Sequence, residues 1–228
     1  MDWFNIEVFE WKALLLSLKV AIITVCINLP ITLFLAFYTS REKHKLNRLI
    51  LSLVNLPLLI PPLALGFILL LALGKESTLG GFLFDNLGIR LSFSFIAAVI
   101  ASMIVSFPLI FNPIKQAFDS IHEQHHKTIK SLGLSSRKSF WKIYFPLAKG
   151  GIIIGSVMAF ARSFGEFGAT LVFAGNIPGI SQTMPLAMYN SLQTPGQENS
   201  AIRLLVISLV ISFIAMFLAH RKKNNRII

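Results

Sequence analysis

Charge is scarce in this chain. Asp, Glu, Lys and Arg make up 14% of its 228 residues, against about 25% in a typical soluble domain. Acids are the scarcer sign, 10 against 21 bases, which leaves a formal net charge of +11. Cysteine occurs once, as Cys26, so no internal disulfide can form and a disulfide-stapled secreted domain is excluded. That cysteine lies in an apolar run, where it serves as a small hydrophobe. With 54% hydrophobic residues the chain is not of the disordered class, and its 14 glycines are too few for a collagen-like fibre. The first twelve residues lack the basic start of a cleavable leader, because Asp2, Glu7 and Glu10 precede the first lysine, Lys12.

What is abundant is apolar. Phe occurs 20 times and the mean hydropathy is +0.70. Such a surface cannot face water on all sides, so the expectation is an all-α polytopic protein in a lipid bilayer. A strongly basic soluble protein would point to nucleic acid. Here the bases fall between apolar runs, so they are read as topology determinants, with no nucleic-acid partner.

A span needs about 20 predominantly apolar residues as helix. Five such stretches are expected, at 13–39, 49–73, 91–113, 150–174 and 201–220. A sixth, interfacial helix before Ala13 is the variant reading, carried by Trp3, Phe4, Ile6, Phe9 and Trp11. None of the stretches alternates with period two, which argues against a β-barrel. The whole chain, 1–228, reads as one transmembrane domain. Lys and Arg cluster after span one, in the tail and above all within 115–149, whereas 175–200 has none. The positive-inside bias then puts the N-terminus outside and the C-terminus in the cytoplasm. Lys19 and Arg203 are expected to snorkel outward.

The segment 115–149 is the longest hydrophilic one. Ser120 with Glu123 has capping-box spacing, and Gly133 suits a helix stop, so a separate short helix is expected over 121–132. Ser135 or Ser136 can cap a second helix, with Phe140, Trp141, Tyr144 and Phe145 on one face and Pro146 leading into span four. His122-Glu123-Gln124-His125-His126 satisfies H-E-x-x-H, the helical zinc-protease pattern. It has no third ligand nearby and lies in a basic stretch that repels a dication, so no metal site is assigned.

Two membrane stretches are unusual for plain spans. In span four Arg162 and Glu166 are i, i+4 and can pair within the membrane, where a central Arg costs about 2.5–3.5 kcal/mol on insertion scales. The readings are a structural pair or a place beside a substrate path, in which Arg162, Ser163 and Thr170 would be donors to an anion. Gly151/Gly155 and Ala161/Gly165/Ala169 give small-residue ridges for close helix packing. In span two Pro57, Pro61 and Pro62 imply either a kink or a broken helix that lines a path.

Gly133, nine residues, then Ile143-Tyr144-Phe145-Pro146 resembles the second half of the coupling loop of ABC importer permeases. That family pattern is Glu-Ala-Ala, three residues, Gly, nine residues, Ile-x-Leu-Pro; here Lys127-Thr128-Ile129 stand first and Phe145 replaces the Leu. The run from Phe160 through Arg162-Ser163-Phe164-Gly165-Glu166 to Thr170 is similar to the molybdate permeases of that family. So are Asn176-Ile177-Pro178-Gly179, Thr183-x-Pro185-x-Ala187-Met188-Tyr189, Leu56-Pro57-Leu58 with Pro61-Pro62, and Ser106-Phe107-Pro108-Leu109. The resemblance implies the type I importer permease fold and a non-enzymatic subunit of the bacterial inner membrane. It implies a second copy of the chain around a central path, a periplasmic binding protein delivering molybdate or tungstate, and a cytoplasmic ATPase dimer that holds the ATP and Mg. Glu123, Lys127, Thr128, Ile129, Gly133, Ile143 and Pro146 would couple to that ATPase. Arg162, Ser163, Glu166, Thr170 and the three prolines would line or gate the path. The chain has no G-x-x-x-x-G-K-[ST] and so holds no cofactor of this kind itself. The alternatives are a sulfate/thiosulfate permease, which shares a looser Arg-x-x-Gly-Glu core, an intramembrane zinc protease using His122, Glu123 and His126, and a passive channel.

Overall fold

A computed structural model of the chain describes residues 6–41, 45–131 and 133–224; the side chains of 41, 45, 122–130 and 218–224 are outside the description. All regular structure among the described residues is helical. Helix α1, Val8–Arg41, covers the first expected span. Its start is fixed by Glu10, whose Oε2 accepts the Glu7 N–H at 2.7 Å and so satisfies one of the orphan donors of the first turn. The described residues before Ala13 simply extend this helix, so they form no separate interfacial one.

The second span is broken. Helix α2, Lys45–Asn55, gives way to a single 3-10 turn, Leu56–Leu58, and then to α3, Pro62–Leu73, with a bend of 112° between the two halves. Pro57 sits in the turn, Pro61 is extended, and Pro62 opens α3, where its missing N–H costs nothing. A short helix that the sequence reading did not anticipate follows: α4, Thr78–Leu87, capped by the Ser77 hydroxyl, which accepts the Gly80 N–H at 2.9 Å, and closed by Gly88 at φ +65°.

Helix α5, Phe95–Ser131, is the central post. It runs unbroken past Ser120 and Glu123, so the expected cap and separate helix over 121–132 do not form. The reason is local. No Gly or Pro follows Pro113 until Gly133, Lys115 and Asp119 pair at i, i+4 with a 2.6 Å contact, and Ile114, Phe118 and Ile121 stay buried on one face. Gly133 does lie beyond the helix end with φ +60°. Next come α6, Ser136–Ser139, a π turn, Phe140–Tyr144, and α7, Phe145–Leu147, which carries Pro146 in its first turn.

The fourth span is broken too. Helix α8, Lys149–Phe164, stops before Gly165, and α9, Gly168–Phe173, resumes after Phe167. Helix α10, Met184–Gln193, and α11, Glu198–Asn224, complete the chain. Among the described residues three helices are long and apolar enough to cross a membrane alone, and up to five spans result if two bent pairs each count as one: Leu46–Leu58 with Pro62–Leu73, and Ser136–Leu147 with Lys149–Phe164, the latter bent by 72°.

α5 packs against both α1 and α8. The α8 contact uses the expected small residues. A Cβ on Gly155 would lie 2.7 Å from the Ile110 carbonyl oxygen, and one on Gly151 would lie 2.7 Å from that of Pro113. The second ridge, Ala161/Gly165/Ala169, is not formed, because the helix ends inside it. Arg203 also departs from expectation. It turns inward to Glu10 of α1, with Nε 3.1 Å and Nη2 3.0 Å from Oε1, and Nη2 donates to Ser200 Oγ at 2.9 Å. Glu10 is 1% exposed, so this ion pair is what makes its burial tolerable.

Candidate functional site

The two broken spans meet. Gly66 of α3 lies so close to α9 that a Cβ there would come 2.7 Å from the Ala169 carbonyl oxygen, and a Cβ on Gly168 would come 2.9 Å from Pro62. The proline break of span two therefore seats directly on the start of α9. Proline frees backbone groups that only protein or water can satisfy inside a membrane, and discontinuous helices are where membrane transport proteins place their paths.

The break after α8 is organised by one carboxylate. Glu166 Oε2 lies 2.6 Å from Arg162 Nη1, while Oε1 accepts the Ala169 N–H at 2.8 Å. Glu166 thus caps the first turn of α9 and neutralises Arg162 together. Its side chain is fully buried, whereas that of Arg162 is 32% exposed. The expected pair forms, but across the break instead of along a continuous helix. Thr170 is turned to its own backbone, its hydroxyl donating to the carbonyls of Phe167 and Glu166, so it is not offered as a donor to a passing anion. Ser163 is buried and its hydroxyl has no hydrogen-bond partner among the described residues. Beside the break is a cavity of about 440 Å³, lined mainly by Phe164, Phe167, Met184, Met188, Tyr189 and Leu204.

Sequence reasoning missed Ser17. Its hydroxyl accepts the buried Met184 N–H at 2.7 Å and so caps α10 from α1, where Thr183 provides no side-chain cap. The lone signal was a serine within an apolar run.

In the 115–149 segment Gly133 and Pro146 are placed as described, and Ile143 is half-buried against the inner core. The aromatic face expected here is split by the π turn. Tyr144 and Phe140 turn inward onto Phe37 at 5.1 Å each, and onto Phe118 at 5.8 and 6.2 Å, while Trp141 stays exposed. These edge-to-face contacts weld the segment to the first and third spans. The side chains of Glu123, Lys127, Thr128 and Ile129, like those of His122 and His126, lie outside the described residues.

A helical bundle whose discontinuous spans converge on a buried ion pair, and whose 115–149 segment is welded to its core, is a membrane transport subunit in design. The family is shown by the sequence: the chain belongs to the binding-protein-dependent transport system inner membrane components, whose family model matches residues 28–221. It is 40% identical over 211 residues to the molybdenum transport system permease protein ModB of Escherichia coli K12, covering 92% of each chain. It is 38% identical to the ModB of Haemophilus influenzae, again covering 92% of each. A putative molybdenum transport system permease protein of Bacillus subtilis, YvgM, is 41% identical over 75% of this chain and 74% of its own. Among solved structures, the MetNI methionine ABC transporter in inward-facing conformations matches with a TM-score of 0.68 at 17% identity, covering 93% of this chain and 91% of that one. The fold is therefore that of a type I ABC importer permease. The family is one of transport permeases, which does not favour the zinc-protease alternative.

Proposed function

We propose that this chain is the membrane subunit of an ATP-driven importer of molybdate, with tungstate as a second cargo. The observation that supports it most is the 40% identity to a molybdenum permease along 92% of both chains. Two copies enclose the path, an ATPase dimer seats against the 115–149 segment, and a binding protein delivers cargo at the outer face. The N-terminus is outside and the C-terminus in the cytoplasm. Glu166 and Arg162 hold the break of span four in register with the proline break of span two, and the aromatic weld carries motion of the 115–149 segment into α1 and α5. The half-exposed Arg162 guanidinium is a donor for an oxyanion only to the extent that Glu166 leaves its remaining N–H groups free.

The test is radiolabelled oxyanion uptake in cells lacking their own molybdate importer and supplied with this chain, its ATPase and its binding protein. Molybdate uptake, blocked by excess tungstate and not by sulfate, is expected. Uptake displaced by sulfate instead would transfer the chain to the sulfate/thiosulfate group. Orientation is read in the same cells from single cysteines at Gln193 and Ser136 in a Cys26→Ala background. An impermeant reagent should reach the first from outside and not the second.

A further inference from the structure

Helix α2 exposes two rows of opposite character. Leu46, Leu49 and Leu53 form one and are each more than half exposed. Arg48 and Ser52 are exposed on the other, with Asn55 half-buried at its inner end, roughly a third of a turn around the helix from the leucines. The two rows cannot face the same medium. The leucines suit acyl chains; an Arg-Ser-Asn row facing the same chains would carry polar groups that nothing satisfies.

The neighbouring post tells which medium the polar row meets. On α5, the exposed positions between 101 and 121 are Asn112, Gln116 and Ser120, four residues apart and all polar. No apolar residue of that stretch is exposed. The two rows are joined, because Asn112 Nδ2 donates to Asn55 Oδ1 at 2.8 Å, while Asn55 Nδ2 donates to the Leu51 carbonyl. Asn112 is about 26 Å along α5 from its outer end at Phe95, within a hydrocarbon layer about 30 Å thick, whereas Gln116, at about 32 Å, lies at the inner boundary of that layer, where the seam meets the cytoplasm. The nearby charge of Asp119 is met by Lys115.

We propose that this seam, Arg48, Ser52, Asn55, Asn112 and Gln116, is the wetted inner half of the cargo path. The hydrogen-bonded Asn55–Asn112 carboxamides lie in it just below the proline break and select for a tetrahedral oxyanion through their remaining N–H groups. This rests on the oxyanion-importer reading above. Carboxamides suit the task because they donate to an anion without trapping it as a bare cation would, and Arg48 at the cytoplasmic mouth draws the anion onward.

The experiment uses the assembled transporter with its ATPase in inside-out vesicles, in a Cys26→Ala background. Single cysteines replace Asn112, Gln116 and, as the lipid-side control, Leu53. An impermeant charged thiol reagent should modify Asn112→Cys and Gln116→Cys at least roughly tenfold faster than Leu53→Cys, because the thiolate forms only where water reaches. Oxyanion uptake, measured in intact cells carrying the same variants with the ATPase and the binding protein, should fall about tenfold or more in Asn112→Asp, which sets like charge against the cargo, and much less in Asn112→Ser, with ATPase assembly unchanged in both. Equal rates at all three positions would overturn the proposal. So would full protection at 112 and 116, which would make the seam a contact between copies, and so would normal uptake by Asn112→Asp. Uptake is run with molybdate, tungstate and sulfate separately. A different preferred anion would then refute the cargo assignment while leaving the labelling pattern to judge the path.

Discussion

Glu166 is the residue on which most depends, because each of its oxygens has a separate duty. One answers Arg162 and the other caps Ala169. Removing Arg162 strands a fully buried carboxylate, and breaking a buried pair costs about 3–5 kcal/mol, here toward the lower figure because Arg162 is itself partly hydrated. Arg162→Leu should therefore fall in membrane abundance. Glu166→Gln keeps the acceptor for Ala169 and leaves an Arg that water can reach, so it should cost about 1 kcal/mol, the worth of one hydrogen bond. The Arg162→Leu/Glu166→Gln double should recover the abundance lost in the Arg single. Thermal midpoints of the three purified variants check this ordering, and an Arg162→Leu as stable as the parent would remove the pair from the account of the fold. The i, i+4 spacing made the pair legible in the sequence. The cap was not legible, since it requires the helix to stop at Gly165, and a single Gly in an apolar run is as often tolerated as obeyed.

At the scale of elements the same lesson recurs. Span count and approximate limits were readable from hydropathy, because the bilayer imposes a length on any helix that crosses it. The breaks were readable only where proline marked them, at Pro57, Pro61 and Pro62. The false break at Ser120 shows the converse: a capping pattern is weak against an apolar face that continues through Ile114, Phe118 and Ile121. Close packing gives the sharpest element-level expectation. Gly66→Ala and Gly155→Ala press a methyl onto a neighbouring carbonyl 2.7 Å away and should each cost about 1–3 kcal/mol. Gly150→Ala meets nothing within 4 Å and should be neutral or slightly stabilising. Gly133 also has open space around it, so Gly133→Ala tests backbone conformation alone, at about 1–2 kcal/mol for φ +60°. Thermal unfolding of the four variants settles the ranking; a destabilised Gly150→Ala would mean that α8 is not the helix described.

For the whole molecule, the resemblance to importer permeases was legible because spacing survives where composition drifts. Lys127-Thr128-Ile129 depart from the family pattern, yet Gly133 and Pro146 keep their intervals. What could not be read was the tie between the first helix and the last, because Glu10 and Arg203 are 193 residues apart. That tie has a bearing on biogenesis. During synthesis Glu10 enters the bilayer boundary long before its counter-ion exists, so the nascent chain carries an unanswered carboxylate until α11 emerges. Completion of the chain is thereby chemically marked, and quality control has a charge to recognise. A chain truncated after Gln193 should be degraded faster than the full chain, and Glu10→Gln should lengthen the life of the truncated form while shortening that of the full chain, where Arg203, 10% exposed, loses its buried counter-ion. Pulse-chase half-lives of the four forms decide it; equal lifetimes for both truncated forms would dismiss the carboxylate as the mark.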